Sequence, residues 1–141
     1  MDAKTQRRRL SEAMVAHLAT VSAEGRPHLV PITFAVDGDV IYFAVDAKPK
    51  RTTNLQRLRN IASNPAVAVL VDHYDDDWNR LWWVRVDGLA LVLAGGAEAG
   101  RAIDLLAERY AQYRKTRPVG PVVAITIERI TGWSAADHPA C

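Results

Sequence analysis

Three observations predict an α+β chain built as an antiparallel barrel of six strands with peripheral helices. Runs of alternating apolar residues recur in hairpin order, turn residues separate them, and the helical stripes between them lack a regular βαβ rhythm. The 141 residues are 49% hydrophobic and 24% charged, which predicts one domain over residues 1–141 with a core of its own.

The elements follow in order. Over residues 7–17, Leu10, Ala13, Met14 and then Leu18 recur at helical spacing with Ser11 and Glu12 turned away, which predicts an amphipathic helix. A short strand over 17–21 ends at the turn Ala23-Glu24-Gly25-Arg26. A second strand over 27–36 places Val30, Ile32, Phe34 and Val36 on one face, and Asp37-Gly38-Asp39 turns into a third over 40–45. These three are expected to form an antiparallel meander. Leu55, Leu58 and Ile61 mark a helix that Asn64-Pro65 ends, because the residue before proline is driven out of the helical region. The unbroken apolar run 66–71 reads as a strand buried on both faces. Residues 82–93 form a long strand in which Gly88 marks a bulge. Gly95-Gly96 opens a helix reaching about residue 114, and a last strand carries Val123, Ile125 and Ile127 to near Gly132.

Composition excludes several classes of function. Eighteen Lys and Arg against sixteen Asp and Glu give a formal charge of +2, too small a surplus to argue for nucleic acid. No stretch approaches the ~18 apolar residues of a membrane span. The only cysteine is Cys141, so no internal disulfide is available and a reducing, cytoplasmic setting is expected. Nucleophile-elbow, Walker, HExxH and CxxC motifs are missing, and no catalytic residue is named.

Charge is nonetheless sorted along the chain. Residues 48–59 hold five bases (Lys48, Lys50, Arg51, Arg57 and Arg59) and no acid, whereas 72–77 hold four acids and no Lys or Arg. Bases at the positive pole of a helix are unfavourable unless an anion sits there. Lys48, Lys50 and Arg51, with the hydroxyls of Thr52 and Thr53, therefore form a candidate anion site; the alternative is a solvated basic turn capped by a threonine. Trp78, Trp82 and Trp83 cluster, and Arg85 shares a strand face with Trp83. Such rings serve a flat ligand or pack a core or subunit boundary. His73, Tyr74, Trp78, Trp83 and Arg85 are the candidate substrate contacts. The acidic loop around His73 fits neither an EF-hand nor a zinc site, so no metal is expected.

HLATVSAEGRPHLVPITF (17–34), IYFAVD (41–46), KPKRTTNL (48–55) with the later Asn64-Pro65, and WWVRVDGLA (82–90) stand in an order that resembles the pyridoxamine-phosphate-oxidase-like split β-barrels. These proteins bind flavin or deazaflavin. The chain looks most like the actinobacterial branch that uses coenzyme F420. The resemblance implies a homodimer with cofactor at its interface, backbone contacts to the ring at Val30, Pro31, Ile32, Ala44 and Val45, and a phosphate-binding base at Lys50 or Arg51. It also implies hydride transfer to a small electron-poor acceptor. FMN chemistry on the same fold, or a non-catalytic flavin- or haem-binding module, is the alternative. The family's pyridoxal-phosphate pocket is not recognisable. A tail carrying phosphate and several carboxylates would account for more bases than a plain phosphate needs.

Overall fold

A computed structural model describes residues 1–45 and 55–138. Helix α1 (Ala3–Glu12) starts where the Asp2 carboxylate accepts the Thr5 N–H at 2.8 Å, a side-chain N-cap. It is followed by β1 (Ala16–Val21), β2 (Pro27–Ile32), β3 (Ala35–Asp37), β4 (Val40–Ala44), α2 (Gln56–Ser63), β5 (Ala66–His73), β6 (Trp82–Leu93), α3 (Ala97–Arg109), α4 (Ala111–Lys115) and β7 (Val122–Ser134). The predicted 7–17 helix is thus displaced toward the start of the chain. Ala13 is already extended, Met14 and Val15 are exposed, and His17 belongs to β1.

All strands join one antiparallel seven-stranded sheet in the order β2-β1-β5-β6-β7-β4-β3. The expected count of six fails because residues 27–36 are two strands, and the meander fails with it. β2 pairs with β1 and β3 with β4, but β2 and β3 lie on opposite borders of the sheet. In a flat sheet, six spacings of about 4.8 Å would separate those borders by about 29 Å. The link between them is Thr33-Phe34 alone, and the path from Ile32 to Ala35 spans at most about 11 Å. The sheet must therefore curl until its borders nearly meet, without closing into a full barrel.

Phe34, Phe43, Leu18, Ile41, Val69, Val84 and Ile125 fill the interior of the curl. α3 covers the outside of β4 and β7, burying Tyr42, Ala44, Val122 and Ala124 against Ala99, Ala102 and Leu106. Two burial expectations change. β5 alternates instead of being buried on both faces, with Val67, Val69 and Val71 inward and Ala66, Ala68 and Leu70 outward. The helix expected to reach residue 114 breaks at Tyr110, which is extended between α3 and α4. The bulge is at Gly88 as read, and a Cβ there would lie 2.5 Å from the Thr126 carbonyl oxygen.

Candidate functional site

The break at Tyr110 supports the Thr33-Phe34 seam. The Tyr110 hydroxyl accepts the Phe34 N–H at 3.1 Å and shares its one proton between the carbonyls of Met14 (2.9 Å) and Phe34 (3.1 Å). Arg109 donates to the Phe34 carbonyl at 3.0 Å and to that of Ala13 at 2.6 Å. One turn on, the Tyr113 hydroxyl meets Thr33 Oγ1 at 3.0 Å. Three side chains thereby fasten the start of β1, the seam and the α3–α4 corner together.

Beside the seam lies a cleft of about 290 Å³ between the end of β2 (Pro31, Ile32), the end of β4 (Phe43, Ala44), α2 and the α3–α4 corner. Pro31 has no N–H to offer a neighbour, and a border strand tolerates it. α2 is fixed by Asn60, which is buried, donates to Thr20 Oγ1 at 2.9 Å and accepts from Gln56 Nε2 at 2.6 Å. This presents Arg57, in the first turn of α2, to the cleft. Its Nε is buried without a hydrogen-bond partner among the described residues, and burial pushes the guanidinium below its ordinary pKa while Tyr113 acts in the opposite sense. A buried unpaired donor costs about 1–3 kcal/mol, and more when charged. An anion in the cleft would remove that cost.

Of the residues that the resemblance points to, Pro31, Ile32 and Ala44 line the cleft. Val30 packs into the core, and Val45 is buried with its N–H donating to the Pro121 carbonyl at 2.9 Å. Lys48, Lys50, Arg51 and Thr52 lie outside the described residues. The aromatic candidates gather elsewhere, on the outer face of β1, β5, β6 and β7, around a larger cavity of about 760 Å³. Trp83, Arg85, His73 and Tyr74 line it together with Trp82 and Trp133; Trp78 does not, standing 68% exposed on a short 3-10 turn.

The sequence profile of the pyridoxamine 5'-phosphate oxidase family matches residues 3–134. The chain belongs to this family. No curated protein matches it in sequence. Among solved structures, a conserved hypothetical protein from Mycobacterium tuberculosis superposes with a TM-score of 0.80 at 21% identity, covering 100% of this chain and 91% of that one. A FAD-binding protein from Mesorhizobium loti gives 0.72 at 20% identity, with 94% of each chain covered. The heme storage protein HutZ from Vibrio cholerae gives 0.70 at 17% identity, covering 93% of this chain and 90% of that one.

For this member of the pyridoxamine 5'-phosphate oxidase family, residue-by-residue reading passed over Arg57 as one base among five. A usable signal was present. Arg57 lies next to Leu58 and three residues before Asn60, on a helix whose partly buried side packs against the core, so a cation there must face a cavity or a partner. No helix is long and apolar enough to cross a membrane among the described residues.

Proposed function

We propose that this protein is a cytoplasmic, homodimeric redox protein. It holds the anionic end of a flavin-type cofactor at Arg57 and serves hydride transfer to a small electron-poor organic acceptor. Reduced coenzyme F420 is the proposed donor, and FMN the alternative on the same fold. The observation that carries the reading is the buried, unpartnered Arg57 Nε in a cleft formed by Pro31, Ile32 and Ala44. Membership of the family and the likeness to a FAD-binding protein support it. The base-rich segment 48–59, which includes Lys48, Lys50, Arg51 and the Thr52 hydroxyl, favours a ligand with several negative charges over a single phosphate.

When bound, such a ring supplies the hydride chemistry itself. The chain's task is then to bind and orient. Arg57 neutralises the anionic end, and the Thr33 and Tyr113 hydroxyls offer a polar contact beside it. The cleft lies at the small end of the range for ligand pockets, so most of a flavin-sized ligand would extend along the open border of β2. A second copy of the chain would cover the outer sheet face, where Leu29 is 67% and Leu91 64% exposed.

The test is titration of cofactor-free protein with F420, FMN and haem, for the wild type and Arg57→Met. F420 should bind to the wild type. The variant should bind more than tenfold more weakly while its melting temperature holds or rises, because an unpaired buried N–H has gone. Tight FMN binding with no F420 response would remove the deazaflavin assignment, and an unchanged affinity in the variant would remove the cleft. The likeness to a heme storage protein supports a second reading, in which the cofactor is held without turnover. Single-turnover oxidation of pre-reduced F420 by quinone and nitroaromatic acceptors separates the two.

A further inference from the structure

The chain holds two methionines, Met1 and Met14, and each presents its sulfur to an arginine. Met1 Sδ accepts from Arg9 Nη1 at 3.7 Å. It packs against the core and over Gly132, where a Cβ would lie 3.2 Å from the sulfur. Met14 is placed differently. It stands 53% exposed ahead of Ala16, where β1 begins, and so lies outside the strand face assigned to the proposed homodimer. Its Sδ accepts from Arg109 Nη2 at 3.4 Å, and its carbonyl accepts from the Tyr110 hydroxyl at 2.9 Å. The backbone is thereby pinned at the α3–α4 corner while the side chain keeps three rotatable bonds.

Arg109 Nη2 carries two hydrogens. The Ala13 carbonyl, at 2.6 Å, is a strong acceptor, but the thioether is a weak one. A cation is therefore matched to a poor acceptor, at an exposed sulfur whose second lone pair meets no donor among the described residues. We infer that Met14 is a site of reversible oxidation by hydrogen peroxide, and that Arg109 captures the resulting sulfoxide. The sulfur lone pair attacks one peroxide oxygen, the O–O bond breaks, and the departing hydroxide takes the remaining proton and leaves as water. Sulfur is oxidised and peroxide reduced. Rotation of the side chain then brings the new oxygen to the Nη2 hydrogen now given to sulfur, and an N–H···S contact becomes a charge-assisted N–H···O bond. The bonds from Arg109 to Phe34 and Ala13 stay in place. Oxidation usually loosens the contacts a methionine makes; here it tightens the clasp that holds the seam. Because Arg109 engages one lone pair, one sulfoxide epimer predominates.

The experiment is treatment of the full chain with limiting hydrogen peroxide, followed by peptide mass mapping and thermal unfolding. Met14 should take up its oxygen before Met1, and the singly oxidised protein should melt about 2–4 °C above the untreated one. Two stereospecific methionine sulfoxide reductases exist, one for each epimer. Applied to the oxidised Met14 peptide, one should reduce most of it and the other little. Met14→Gln, whose amide oxygen imitates the sulfoxide, should likewise melt above Met14→Leu. Oxidation of Met1 first or alongside, a melting temperature unchanged or lowered by oxidation, equal yields with the two reductases, or no advantage of Gln over Leu would overturn the inference. The oxidation needs no occupant in the cleft, so its outcome is independent of F420 binding.

Discussion

The seam and the outer aromatic face are built on opposite plans. At the seam, Arg109 and Tyr110 hold the Phe34 main chain, Tyr113 holds the Thr33 hydroxyl, and the Phe34 ring is fully buried. On the outer face, large rings stand half-covered, and Trp83 is met by the Arg85 guanidinium 5.8 Å from its ring centre. The seam is over-determined because it sets how far the sheet curls and therefore how wide the cleft opens. The outer face is under-satisfied, which is what a surface awaiting a ligand or a second copy looks like.

The sharpest way to break this contrast is Phe34→Ala. Loss of a fully buried ring should cost about 3–5 kcal/mol, and urea unfolding should show it together with a loss of F420 binding. A smaller effect should come from the anchor that carries α3. Tyr42 donates to Glu98 Oε2 at 2.7 Å, and burial, followed by that bond and the carboxylate charge, raises its pKa from 10.0 to about 12. The folded state keeps the phenol proton that the unfolded chain loses. That contribution to stability is thus whole below pH 10 and should disappear as pH rises from 10 to 12. Tyr42→Phe should flatten that part of the pH–stability curve.

Next comes Tyr110→Phe. It leaves the Phe34 N–H and two carbonyls short of a partner and should cost about 1–2 kcal/mol, with weaker cofactor binding although Tyr110 carries no charge. The least effect on folding belongs to the outer face. Leu91→Ser should change monomer stability by less than about 0.5 kcal/mol while weakening the proposed homodimer in sedimentation. Equal losses at Tyr110 and Leu91 would erase the distinction between the two regions.

Local pattern carried much of this. The bounds of β6, its bulge and the outward set Trp83 and Arg85 were legible because a 12-residue strand repeats its alternation many times and glycine marks the fault. The border topology was not. Val30, Ile32, Phe34 and Val36 alternate as if in one strand, and nothing in that period reveals that the chain leaves one border of the sheet at Ile32 and joins the other at Ala35. β5 misled for a related reason: Ala66, Ala68 and Leu70 are apolar yet outward, so an outward face reads as core. Of the residues that line the cleft, Pro31, Ile32 and Ala44 were named through resemblance. Arg57 needed the fold, since only the Asn60 anchor and the position of Tyr113 show which base faces inward.

β7 lies between β6 and β4, pairing Val40–Ala44 of the early chain with residues 78 to 86 positions later. The β3–β4 hairpin therefore has no lasting neighbour in the sheet until residues 122–126 have left the ribosome. The curl cannot be locked before residues 122–126 have been made, so most of the folding barrier falls after β7 emerges, in the slow regime of long-range pairing. During that interval the unpaired hairpin is an open edge, and truncation before residue 122 should yield aggregating chains instead of a smaller folded protein.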